Sequence, residues 1–163
     1  MKIGFFAGTF DPFTNGHYEI VKKSLCVCDK VIIGLGDNKD KKRAYDKNLM
    51  ATAIRKTFAN ETKSGKIEVY TYSGLTGEFA KKINASFLIR GIRDVKDFLF
   101  EKDVAYFNLT AFNIETIYLH IDDATHISSS LVKEMIKNDL CVNNLLPKSI
   151  FQFIQTQQIK DKE

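Results

Sequence analysis

Short apolar runs alternate along this chain with longer stretches whose apolar positions recur every three or four residues. The runs are "KIGFF" (2–6), "KVIIGLG" (30–36), "KIEVYTY" (66–72), "SFLIRG" (86–91) and "ETIYLHI" (115–121). Each has the length and bounding turns of a buried strand. Helices are predicted between them over 15–25, with Ile20, Val21 and Leu25 on one side, and over 48–59, 76–84 and 94–111. Two more close the chain, near 129–138 and 147–158. In 94–111, Val95, Phe98, Leu99, Ala105, Tyr106 and Leu109 form an apolar stripe that only Lys102 interrupts. Phe98, Phe100, Phe107 and Phe112 exceed one core-facing stripe, which suits a subunit contact or a large core.

Strands alternating with helices predict an α/β fold: a Rossmann-like open parallel five-stranded sheet with helices on both faces. No repeat or linker divides the chain, so 1–163 reads as one domain, with a polar end, 155–163, expected to fray. Ligands of such sheets bind beyond the carboxyl ends of the strands, where strand order reverses. Four unusual loops fall on that edge. They are "GTFDPFTNGH" (8–17), "DNKDKKRAYDK" (37–47), "RGIR" (90–93) and "DDATHISSS" (122–130).

Composition adds bounds. A hydrophobic fraction of 44% and a charged fraction of 27% over 163 residues are those of a soluble globular chain. The formal net charge of +4 is too mild to argue for nucleic acid and suits anionic small molecules. The cysteines, Cys26, Cys28 and Cys141, are odd in number and lack a zinc-site partner, so buried free thiols are expected, with no metal site. The first ten residues lack the features of a signal peptide, and no stretch approaches the roughly 20 apolar residues of a membrane span. A cytoplasmic protein without membrane or nucleic-acid partners is the expectation.

The loops suggest phosphate chemistry. In 8–17, Gly8 and Pro12 shape a turn and Gly16 permits close backbone approach. A helix beginning near Asn15 would aim free N–H groups and its positive end at an anion. His17 sits in that first turn, where it can donate to the same anion; the plain alternative is a capped helix with an exposed histidine. Arg90 and Arg93 suit bidentate phosphate contacts, or else surface ion pairs. Ser128, Ser129 and Ser130 offer more hydroxyls than one cap needs. Lys39, Lys41, Lys42 and Arg43 either solvate a loop or reach the same ligand. There is no Ser-His-Asp arrangement, no Walker pattern and no G-x-G-x-x-G after the first strand. A transfer that uses positioning and charge stabilisation rather than a protein nucleophile is favoured.

"GTFDPFTNGH" together with "ISSS" resembles the H-x-G-H nucleotidyltransferase superfamily in its T-x-G-H form. With "LIRGIRDVKDFLFE" added, nearly the whole chain is similar to the bacterial phosphopantetheine adenylyltransferase family. That resemblance implies transfer of the adenylyl group of ATP, with Mg²⁺, to 4′-phosphopantetheine, giving dephospho-CoA and pyrophosphate. It implies that Thr9, Phe10 and His17 meet the nucleotide, with His17 stabilising the transition state. It places Lys41 on the phosphates and Arg90 on the acceptor phosphate, with Thr9 and Thr76 also contacting the acceptor. It assigns Gly91, Ile92, Arg93, Glu101 and the loop Ala124, Thr125, His126, Ile127, Ser128, Ser129 and Ser130 to ATP. It further implies a homohexamer with CoA as feedback ligand. "KKRAYD" lacks the proline frequent after the paired lysines, Thr76 replaces a larger apolar residue, and Ala124 and His126 stand where bulkier or aromatic residues are frequent. A nicotinamide mononucleotide adenylyltransferase, a cytidylyltransferase acting on an alcohol phosphate, and a non-catalytic nucleotide-binding module are the alternatives.

Overall fold

The computed structural model describes residues 1–37, 42–121 and 127–160. Five strands form one parallel sheet: β1 (Ile3–Gly8), β2 (Lys30–Leu35), β3 (Ile67–Thr71), β4 (Phe87–Ile92) and β5 (Thr116–His120). Their spatial order is β3-β2-β1-β4-β5. The chain therefore winds one way from β1 to β3 and the other way from β4 to β5. The reversal lies between β1 and β4.

Among the described residues, seven helices accompany the strands: α1 (Asn15–Ser24), α2 (Lys47–Thr57), α3 (Ala59–Lys63), α4 (Thr76–Lys82), α5 (Val95–Phe112), α6 (Ser129–Lys137) and α7 (Lys148–Lys160). Alternation along the central strands sorts the core into two layers. Phe6, Val31, Ile33, Leu35 and Ile89 join the larger layer with α1, α2, α6 and α7, whereas Phe5, Ala7, Ile32 and Leu88 join a smaller one beneath α4 and the end of α5. The predicted sheet with helices on both faces is what the chain forms.

Four local expectations are corrected. The single helix predicted over 48–59 is two, because Phe58, buried at 1% exposure, breaks the helical path between them. The helix predicted over 147–158 runs from Lys148 to Lys160, anchored by Ile150 and Ile154 in the core. Only Cys28 is a buried thiol; Cys26 and Cys141 are exposed. The apolar stripe of α5 does not face the core. Val95, Leu99 and Tyr106 are exposed, and the residues it buries are Glu101 and Asn108. The reason is polar: Glu101 turns inward to meet Arg90.

Candidate active site

A cavity of about 270 Å³ opens at the reversal between β1 and β4. Its floor is the ends of these strands, Phe6–Phe10 on one and Arg90–Gly91 on the other. Gly91 keeps the floor low, since a Cβ there would lie 2.8 Å from Ile121 and 3.0 Å from Ile20. The start of α1 supplies Thr14, Gly16 and His17, the region before and within α5 supplies Arg93, Asp97 and Glu101, and the entry to α6 supplies Ile127, Ser128 and Ser129.

His17 is held from behind. Its Nδ1 accepts the backbone N–H of Thr14, the α1 N-cap, at 2.9 Å, and the Thr14 hydroxyl lies 3.0 Å from the same nitrogen. A neutral imidazole accepting at Nδ1 carries its proton on Nε2. The ring packs among Phe6, Phe10 and Phe13, with centroids 6.2, 5.0 and 5.4 Å away. Desolvation, then the charges of Arg93 and Arg90, push its pKa down to about 3. His17 is thus a fixed, neutral N–H donor at a helix N-terminus, and partly buried rather than simply exposed.

The two arginines arrive already oriented. Arg90 donates Nε to Glu101 Oε2 at 2.7 Å, Nη2 to Glu101 Oε1, and Nη1 to the Ala7 carbonyl at 2.7 Å. Three of its five N–H groups are used, so two remain for an anion. Arg93 forms a two-pronged pair with Asp97, Nε to Oδ2 at 2.6 Å and Nη2 to Oδ1 at 2.9 Å. Ser129 donates to the Pro12 carbonyl at 2.8 Å, tying α6 to the T-x-G-H turn, and Ser128 caps α6 by accepting from Leu131 N–H at 3.1 Å.

Thr9, Phe10, His17, Arg90, Gly91, Arg93, Glu101, Ile127, Ser128 and Ser129 therefore come together around one cavity. Ile92 and Ser130 do not line it, and Ser130 is exposed. Thr76 lies apart at the start of α4, its hydroxyl 3.0 Å from that of Tyr72 on the same sheet edge. Lys41, Ala124, Thr125 and His126 fall outside the described residues. Among the described residues no cluster of His, Cys, Asp or Glu could hold a metal ion, and no helix is long and apolar enough to cross a membrane.

Asp11 and Asp97 were not singled out by sequence. The Arg93–Asp97 spacing of four across the start of a helical pattern is a readable ion-pair signal. Asp11 has none: it accepts Ala44 N–H at 3.0 Å, Tyr45 N–H at 3.1 Å and the Lys133 ammonium at 3.0 Å, from partners 33 to 122 residues away. It joins the lysine loop, the turn after β1 and α6.

Fold and site define an α/β protein that gathers a histidine, two arginines and two serines around a cavity at the switch point of a parallel sheet. A profile of the cytidylyltransferase-like family matches residues 5–135. The phosphopantetheine adenylyltransferase of Bacteroides fragilis is 38% identical over 151 residues, spanning 92% of this chain and 99% of that protein. That of Cytophaga hutchinsonii is 40% identical over 151 residues, spanning 91% and 99%. That of Wolbachia pipientis wMel is 39% identical over 168 residues, spanning 99% and 97%. The chain belongs to the cytidylyltransferase-like family and, within it, with the phosphopantetheine adenylyltransferases.

Proposed function

We propose that this chain is a pantetheine-phosphate adenylyltransferase of coenzyme A biosynthesis. It moves the adenylyl group of ATP reversibly onto 4′-phosphopantetheine. An oxygen of the acceptor phosphate bonds to the α-phosphorus, the α–β bridging bond breaks, and pyrophosphate leaves with dephospho-CoA as the other product. One observation carries this reading: a neutral His17 donor and two pre-oriented arginines converge at one cavity. The cavity serines are engaged in a cap and a turn, not with His17.

A phosphate monoester has its second pKa at about 6 and needs no strong base to attack. The chain's part is orientation and charge stabilisation. In this reading Arg90 holds the acceptor phosphate with Thr9 and Lys41, and Thr76 meets the pantetheine arm. Arg93, Glu101 and the segment 124–130 seat ATP. Mg²⁺, when bound, shields the ATP phosphates. A cation with phosphate and water ligands needs no dedicated protein cage, which fits the donor set described above.

The test is pyrophosphate release from ATP with 4′-phosphopantetheine, nicotinamide mononucleotide or glycerol phosphate as acceptor. The expected kcat/KM favours phosphopantetheine by on the order of 100-fold or more. Turnover with another acceptor alone, or with none, overturns the reading.

The same reading includes a cytoplasmic homohexamer with CoA as feedback ligand. The exposed apolar side of α5 supports assembly, since Val95, Leu99, Phe100 and Tyr106 lie 74%, 58%, 67% and 71% exposed along one helix. Phe100→Glu with Tyr106→Glu is expected to leave a smaller species in sedimentation velocity. An unchanged hexamer would place the contact elsewhere, and a wild-type monomer would remove it.

A further inference from the structure

The segment after the paired lysines is stitched to the turn after β1 from both sides. Arg43 donates Nη1 to the Thr9 carbonyl at 2.8 Å and to the Gly36 carbonyl at 3.4 Å, and Nε to the Tyr45 carbonyl at 3.2 Å. In return the Asp11 carboxylate accepts the N–H groups of Ala44 and Tyr45. Thr9 follows β1 and Gly36 follows β2, neighbouring strands whose last paired residues are Gly8 and Leu35. One guanidinium therefore bridges two main-chain carbonyls where the ladder ends. Only a planar fork of donors holds both while also closing on its own segment.

The turn it holds is strained. Phe10 has a φ of 46°, a left-handed conformation that a bulky residue rarely adopts. Such a conformation persists only where its surroundings enforce it. Phe10 is 2% exposed and sets its ring edge-on to His17 at 5.0 Å. Thr9, immediately before it, lines the cavity. Any relaxation at the Thr9 carbonyl passes to Phe10, and from there to the packing that aims His17.

We propose that Arg43 is a positioning residue for the phosphate site. It fixes the main chain at Thr9 and Phe10, and ties the segment 43–45 to that turn. The link to catalysis rests on the adenylyl-transfer reading; the link to the turn does not. Arg43 acts through Thr9 and His17 and is not assigned a contact with substrate.

Arg43→Gln in the full chain tests both links. Hydrogen exchange is expected to quicken about tenfold in a peptide spanning 8–14 and to stay unchanged in β3 and α7. With 4′-phosphopantetheine and ATP, kcat is expected to fall about 10- to 100-fold, with each KM within about threefold of wild type. Unchanged exchange at 8–14, or a uniform rise across the chain, overturns the positioning role. Local loosening with an unchanged kcat overturns its link to the phosphate site. If the wild-type protein transfers to no acceptor, the functional reading falls while exchange at 8–14 still decides the role of Arg43. Should Arg43→Gln fail to fold, Arg43→Lys keeps the charge but loses the fork. It is expected to show the same local pattern at smaller size, and wild-type exchange in it overturns the proposal.

Discussion

Replacing His17 with alanine is expected to lower kcat by about 10²- to 10³-fold while ATP affinity changes less than about threefold. The asymmetry follows from how the ring is held. Its Nδ1 is occupied by the Thr14 N–H, so only Nε2–H is available to a ligand. A single fixed donor gains most where negative charge develops, in the transition state. Alanine also removes an N-terminal cap, which costs about 1 kcal/mol of stability. His17→Gln separates the two effects, because glutamine at this helix position can still accept the Thr14 N–H. It is expected to keep the wild-type Tm and still lose most of kcat. Loss of ATP binding in proportion, with kcat intact, would remove the transition-state role.

The same geometry has a pH signature. Burial among phenylalanines, then Arg93 and Arg90, hold the folded-state pKa at about 3, against 6.5 for an ordinary histidine. Between those values the unfolded chain binds the proton and the folded chain does not. The stability tied to neutral His17 is therefore full above 6.5 and is lost as pH falls toward about 3. Imidazole nitrogen NMR of the ligand-free protein should show the Nε2–H tautomer unchanged from pH 8 to 5. A midpoint near 6.5 would contradict it.

Periodicity reveals much of this fold and little of its wiring. Every strand was readable as a short apolar run, because both faces of a parallel sheet are covered. The edge where the cavity opens was readable too, since β–α order alone sends the loops after β1, β2, β4 and β5 to one side. Helix faces were harder. The spacing of Val95, Leu99 and Tyr106 looks like a core stripe, yet the buried face of α5 is chosen by Glu101. Its partner Arg90 sits on another element, and no local spacing records that pairing. Asp11 shows the same limit: its side chain holds loop N–H groups and Lys133, contacts that exist only after the sheet has assembled. The strained φ of Phe10 is likewise a product of tertiary packing, not of its own preference.

Arg90→Met is expected both to destabilise the protein and to raise the KM for 4′-phosphopantetheine by about 100-fold, and a second substitution should undo only the first effect. Glu101 has a side chain 10% exposed, with both oxygens on the Arg90 guanidinium. Removing the arginine strands a buried carboxylate, a loss of about 3 kcal/mol at the lower end of such cases, because Arg90 itself retains some solvent. That corresponds to a fall in Tm of roughly 6–12 °C for a chain of this size. Arg90→Met with Glu101→Leu removes both charges, and an apolar pair of similar volume commonly restores what the single change lost. Stability should therefore return in the double variant while the KM stays high, since neither methionine nor leucine can hold a phosphate. If the double variant melts as low as the single one, the stranded carboxylate is not the cause of the loss. If the single variant keeps its KM, the two free N–H groups of Arg90 do not hold the acceptor, and that role passes to other cations of the same edge.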